Sequence, residues 1–70
     1  MITQIGLVAG EIWEYLEHNS LQDTLENVVN AIEKDRNLIL MSVGWLAREG
    51  HITLEGDSSN YRIKLIEEKK

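Results

Sequence analysis

The chain has 70 residues, the size of one small domain, and it contains no cysteine, so disulfides cannot supplement its core. Its net charge of −5 disfavours contact with a phosphate backbone unless the few cations gather on one face. The opening MITQIGLVAG lacks the basic start of a signal peptide, and no apolar run approaches about 18 residues. We therefore expect a cytoplasmic protein that does not enter a membrane.

The first predicted element is a helix from Thr3 to about Asn19. Its apolar residues recur at helical spacing: Ile5, Val8, Ala9, Ile12 and Leu16. Gly6 and Gly10 are unexpected within it, because glycine weakens a helix interior. The two glycines indicate a close approach by another element.

A short extended link, SLQ, separates this helix from the second, for which Asp23 has the spacing of a capping box with Glu26. One apolar stripe follows: Leu25, Val28, Val29 and Ile32. The polar run EKDRN predicts a tight turn. A third helix is predicted from Asn37, its expected cap, to Glu49, and Gly50 ends it.

Two strands are predicted at the end of the domain. HITLE forms the first, residues 56–59 have the composition of a turn, and NYRIKLI forms the return strand. Three helices followed by a hairpin predict an α+β winged helix-turn-helix domain over residues 1–66, with a charged tail at 67–70. The SLQ link can add a third strand at the edge of this wing.

Two motifs make a resemblance specific: AGEIWEYL in the first helix and VGWLAREGHI at the end of the third. They resemble a small prokaryotic winged helix-turn-helix family without assigned function, which carries AG-x-[IV]-W and GWLARE patterns. The GWLARE block, Gly44 to Glu49, matches outright, whereas Gly50 and His51 differ slightly from the common residues. The resemblance implies the fold and brings no activity with it.

The third predicted helix is apolar on more than one side. A helical wheel places Ile39, Ser42, Val43 and Leu46 on the inner stripe. The remaining large apolar residues, together with one aromatic residue of the first helix, are predicted to form a protein interface: Leu38, Leu40, Met41, Trp45 and Trp13. The simplest partner is a second copy of the chain, and another protein is an alternative. A second reading places the same residues in the core of one chain.

DNA binding is the competing functional hypothesis, although it is not favoured. A reading helix needs hydrogen-bonding side chains at its outer positions, where this chain has leucine and methionine. The candidate nucleic-acid contacts are Asn37, Arg48, and the wing residues Arg62 and Lys64. Acidic residues at the wing tip, Glu55 and Asp57, offset these cations.

No pattern of residues indicates catalysis. Glu14 and His18 lie one helical turn apart, but two ligands are a weak signal for a metal site. The serines have no histidine and acid at a suggestive spacing, and GLVAG lacks the Lys-Ser/Thr of a phosphate loop. We therefore expect a non-catalytic protein without a cofactor or metal.

Overall fold

A computed structural model describes residues 2–57 and 61–66, with residues 2 and 3 described for the backbone only. Within these ranges the chain forms three helices and three strands. The elements are α1 (Ile2–Glu17), β1 (Gln22–Thr24), α2 (Leu25–Ala31), α3 (Arg36–Arg48), β2 (Ile52–Glu55) and β3 (Arg62–Leu65). This is the predicted winged helix-turn-helix plan. No helix in the described part of the chain has the length and hydropathy needed to cross a membrane.

The core lies between α1, α3 and the sheet, and it follows the apolar periodicity of the helices. Its buried side chains are Val8, Ala9, Ile12, Leu16, Val28, Ile32, Ile39, Val43, Leu46, Ile52, Ile63 and Leu65. Ser42 is the buried polar residue of the described core, and its Oγ lies 2.8 Å from the Leu38 carbonyl oxygen and 3.2 Å from that of Ile5. A hydroxyl has one hydrogen to donate, and the carbonyls of Leu38 in α3 and Ile5 in α1 both offer it an acceptor, so this buried polar atom is satisfied.

The strands form one antiparallel sheet in the order β1-β3-β2, so β3 is central. In its register, Ile63 lies opposite Asp23 on one side and Leu54 on the other. The side chains of Ile63 and Leu65 point into the core, while Arg62 and Lys64 are exposed on the other face. The predicted alternation of the return strand is therefore confirmed.

The edge strand predicted at the SLQ link is β1, and it forms slightly later in the chain than that link. Ser20 and Leu21 have positive φ angles of 64° and 68°, so they make a bend, and pairing starts at Gln22. The bend is held at both ends. The Leu21 N–H donates to the Leu16 carbonyl at 2.8 Å, and the Leu21 carbonyl accepts from the Leu65 N–H at 2.8 Å.

Two predicted helix caps are wrong. α3 is capped by Asp35, whose carboxylate accepts from the Leu38 N–H at 3.2 Å, and Asn37 lies inside the helix. α2 is capped by Thr24, whose hydroxyl accepts from the Asn27 N–H at 3.2 Å, rather than by Asp23. Each true cap has another capable residue within two positions, and sequence preference alone does not rank such neighbours.

The glycines divide into two kinds. Gly50 has a φ of 81° just after α3, which is the left-handed conformation expected of the residue that ends a helix. By contrast, a Cβ built on Gly6 or Gly10 would meet nothing within 4 Å, so no other part of the described chain makes the predicted close approach. The predicted turn residues Ser58 and Ser59 and the tail at 67–70 lie outside the described residues.

Candidate functional site on the outer face of α3

The outer face of α3 is the surface that a winged helix-turn-helix protein usually turns towards its partner. Three large apolar side chains are exposed on it: Leu40 by 36%, Met41 by 49% and Trp45 by 42%. Leu40 and Trp45 are five residues apart, about 140° around the helix axis, so the apolar surface is broad. Gly44 lies between them and is also exposed. We call these four residues the α3 outer face.

The predicted interface residues do not all lie in this face. Leu40, Met41 and Trp45 are exposed there, whereas Leu38 and Trp13 are partly buried and pack against the core. The predicted inner stripe of α3 is confirmed, because all four of its members are buried: Ile39, Ser42, Val43 and Leu46. The wheel therefore separated the two sides of the helix correctly, while Leu38 and Trp13 occupy the boundary.

The rings of Trp13, Trp45 and His51 form an aromatic cluster at one end of the space between α1 and α3. The imidazole of His51 lies 4.9 Å from the Trp13 ring and 6.4 Å from the Trp45 ring, measured between centroids, and both pairs are tilted. Tilted rings at these separations attract each other weakly. His51 thus links a residue of the α3 outer face to the end of α1.

A groove of about 280 Å³ begins at this aromatic cluster. Its lining comes from both helices and the residue that follows α3: Gly6, Ala9, Gly10, Trp13, Trp45, Leu46 and His51. Contacts run along α1 from Ile5, which meets Ser42 of α3, to Trp13, which meets His51 just after α3, so α1 and α3 lie side by side. We call this space the α1–α3 groove. It is continuous with the α3 outer face through Trp45.

The four candidate nucleic-acid residues are all exposed but do not form one cationic surface. Asn37 and Arg48 lie on α3, and Arg62 and Lys64 lie on β3. The Lys64 ammonium is 3.7 Å from the Glu55 carboxylate across the β2–β3 pair. Hydrogen bonds from Tyr15 and Asn27 lower the pKa of the Asp23 carboxyl, and the positive charge of Arg62 has a smaller effect in the same direction. The wing cations are thus partly neutralised within the chain.

Sequence reasoning missed Leu7 and underrated His51. Leu7 is 65% exposed on α1, the most exposed large apolar side chain of the described residues. A helical wheel could have found it, because Leu7 falls opposite the stripe that contains Val8 and Ile12. His51 offered no such signal, since its place between two tryptophans depends on how the chain turns after α3.

Within the described residues, no three His, Cys, Asp or Glu side chains come together as a metal site would require. His18 uses its Nδ1 on the Glu14 backbone carbonyl at 2.8 Å, so the pair considered in the sequence is joined through the backbone. The α3 outer face therefore offers a binding partner an apolar surface with few charges.

Comparison with known proteins places the chain in a family. Residues 1–65 match the family described as Winged helix-turn-helix domain (DUF2582). The chain is also 36% identical over 64 residues to Uncharacterized protein MJ1608 of Methanocaldococcus jannaschii, covering 89% of this chain and 90% of that protein. No solved structure matches significantly. The chain therefore belongs to this winged helix-turn-helix family, and the relative brings no assigned activity.

Proposed function

We propose that this winged helix-turn-helix protein works by binding rather than catalysis, as a homodimer joined through the α3 outer face. The observation that carries the proposal is the joint exposure of Leu40, Met41 and Trp45 on one helix. A helix that is apolar on both its inner and outer sides is usually covered on both. The described chain covers only the inner side.

The size of the exposed surface supports an interface. If a fully exposed large side chain shows roughly 200 Å², the three residues together show on the order of 300 Å² of mainly apolar surface. A contiguous patch of that size is at the lower end of the roughly 300–600 Å² found for the largest apolar patch of a monomer, and such patches often have a binding role. Trp45 is the natural centre of the contact, because tryptophan is enriched among the residues that dominate binding energy.

A second copy is the simplest occupant for a chain of this length. A 70-residue domain buries only about 60% of the surface that its unfolded chain exposes and has a narrow stability margin, and no disulfide is available. Association adds buried apolar area without lengthening the chain. Closed two-fold dimers are also the commonest soluble oligomers.

DNA binding remains the alternative proposal, with Asn37, Arg48, Arg62 and Lys64 as contacts. It is supported by the exposure of all four side chains and by the family's helix-turn-helix plan. Against it, the outer face of α3 carries leucine, methionine and tryptophan where base-reading side chains are needed. The salt bridge of Lys64 reduces the charge that the wing presents.

Sedimentation equilibrium of the wild-type chain and two alanine variants tests the dimer. The wild type should have twice the chain mass of 8.0 kDa at tens of micromolar. Trp45→Ala should raise the dissociation constant about 30-fold, equivalent to ~2 kcal/mol, because the largest side chain of the contact is lost. Leu54→Ala is the matched control, since Leu54 is similarly exposed but lies on the wing.

Circular dichroism separates this result from the alternative in which Trp45 belongs to the core of one chain. Helix content should persist in Trp45→Ala, because nearly half of its side chain is already in solvent. Loss of fold at the cost typical of a core tryptophan, ~3–5 kcal/mol, would contradict the interface. A wild-type monomer near millimolar concentration would contradict the homodimer itself.

A further inference from the structure

Three helical glycines have no explanation within the described chain. Gly6 and Gly10 in α1 and Gly44 in α3 are all exposed, and a Cβ on any of them would meet nothing within 4 Å. Glycine weakens a helix relative to alanine because it has more conformational freedom to lose. Each glycine therefore lowers the stability of its helix at a position where the chain's own packing leaves room for a Cβ.

The two glycines of α1 line the α1–α3 groove and keep it open. Gly6 and Gly10 are one helical turn apart, so they leave two adjacent gaps in the side-chain surface of α1. The side chains of Trp13 and Trp45 flank these gaps, and the volume of the groove is about 280 Å³. Glycines with this spacing allow another backbone or a large side chain to come close to a helix.

The area needed for a stable dimer exceeds what the α3 outer face provides. A standard interface buries roughly 600–800 Å² on each partner, about an eighth to a sixth of the 4867 Å² surface of this chain. The three large apolar side chains of the α3 outer face account for on the order of 300 Å². The contact must therefore extend beyond α3.

The apolar surface continues from Trp45 onto α1. The α1–α3 groove joins Trp45 directly to Gly10 and Trp13, and Leu7 stands exposed on the same helix. Leu7, Leu54 and Ile66 do not line this groove themselves, but Leu7 lies on a helix that forms it, whereas Leu54 lies on β2 and Ile66 follows β3. Continuity thus points to α1 as the second half of the contact.

We infer that the α1–α3 groove is the recess of the homodimer interface, and that it receives the α3 outer face of a second copy. In a two-fold dimer each chain offers both parts, so the apolar side chains of one α3 fill the recess of the partner. Gly6 and Gly10 are then retained because a side chain there would hold the two chains apart. This inference rests on the proposed homodimer and adds α1 to its interface.

Gly10→Gln tests this recess because its two effects have opposite directions. Glutamine favours the helix over glycine, and a Cβ at position 10 meets nothing within 4 Å, so the dilute monomer should be stabilised, with its melting temperature raised by a few degrees. The same side chain blocks the groove, so the dimer dissociation constant should rise at least tenfold. Asn30→Gln is the control, since Asn30 is an exposed α2 residue outside the groove.

A second variant removes apolar area without adding bulk. Leu7→Gln keeps a helix-favouring residue at a position that is mostly in solvent, so the monomer should change little. We expect the dimer dissociation constant to rise several-fold. Sedimentation equilibrium measures association for all these chains, and thermal melts at concentrations below the dissociation constant measure the monomer.

The outcomes separate this inference from the homodimer on which it rests. A wild-type chain that is monomeric near millimolar concentration would overturn both. A wild-type dimer whose dissociation constant is unchanged by Gly10→Gln and Leu7→Gln would overturn the recess alone and confine the interface to α3. Gly10→Gln monomers that melt lower than the wild type would also overturn it, because the groove would then be filled within one chain.

Discussion

The Tyr15–Asp23 contact connects α1 to the first strand across the bend at Ser20 and Leu21. Tyr15 Oη donates to Asp23 Oδ2 at 2.6 Å, and the other carboxylate oxygen accepts from Asn27 Nδ2 and the Thr24 N–H, each at 2.8 Å. The hydrogen bond from Tyr15, followed by that from Asn27, lowers the pKa of the Asp23 carboxyl. The same bond raises the pKa of the Tyr15 hydroxyl, with burial and the charge of Asp23 as smaller causes.

These pKa shifts predict a stability that depends on pH at both ends of the scale. A lowered carboxyl pKa stabilises the fold above the unfolded value near 3.8, and that stability is lost as the pH falls through the folded value. A raised tyrosine pKa stabilises it below the unfolded value of 10.0, and the gain is lost as the pH rises through the folded value.

Tyr15→Phe should therefore cost ~1 kcal/mol in urea unfolding at pH 7, since it removes one hydrogen bond to a charged acceptor. The difference from the wild type should shrink on acidification below the unfolded pKa of Asp23. Asp23→Asn provides the comparison, and in the double variant the two costs should not add. A difference that is constant from pH 7 to pH 2 would contradict the role of this hydrogen bond.

The start of α3 shows which part of an element can be predicted from sequence. The inner stripe of α3 was predictable because the period of 3.6 residues is a local property. The cap was not, because Asp35 and Asn37 are both good capping residues two positions apart, and α3 uses Asp35. Placing the cap at Asp35 also leaves Asn37 exposed inside the helix.

Asp35→Ala should destabilise the domain by ~1 kcal/mol, because the Leu38 N–H loses its acceptor and the start of the helix loses a favourable negative charge. Asn37→Ala is the matched control and should be neutral or slightly stabilising, since alanine favours a helix interior. Urea unfolding at one pH measures both. A larger cost for Asn37→Ala than for Asp35→Ala would restore the cap that the sequence alone predicts.

The arrangement of the elements limits how far the candidate site could be predicted. Met41 and Trp45 were assigned to the outer side of α3 from the helical wheel, and both are exposed. The α1–α3 groove could not be foreseen, since it depends on how closely two helices pack and on where the chain turns at His51. Gly6 and Gly10 were noticed as unusual, and no described part of this chain makes the close approach that they predicted.

At the scale of the whole molecule, the distribution of charge disfavours the DNA-binding proposal. The chain has 12 acidic residues against seven lysines and arginines. Among the described cations, Lys34 is bound to Glu11 at 2.7 Å and Lys64 to Glu55 at 3.7 Å. Arg36, Arg48 and Arg62 are also exposed, the first two at opposite ends of α3 and the third on β3, so the cations are spread out rather than gathered in a stripe.

We therefore predict weak, non-specific binding to duplex DNA, with a dissociation constant above ~10⁻⁵ M at physiological salt. Each phosphate contact contributes about 0.9 to the slope of log K against log salt, and few cations can reach the backbone together, so the slope should be no steeper than about −4 per chain. Replacing Arg48, Arg62 and Lys64 with alanine should change this weak binding little. Nanomolar affinity at 150 mM salt in a fluorescence titration, abolished by that triple replacement, would instead favour the DNA-binding alternative. Exposed cations on α3 and the wing would then act on phosphates despite the acidic surface around them.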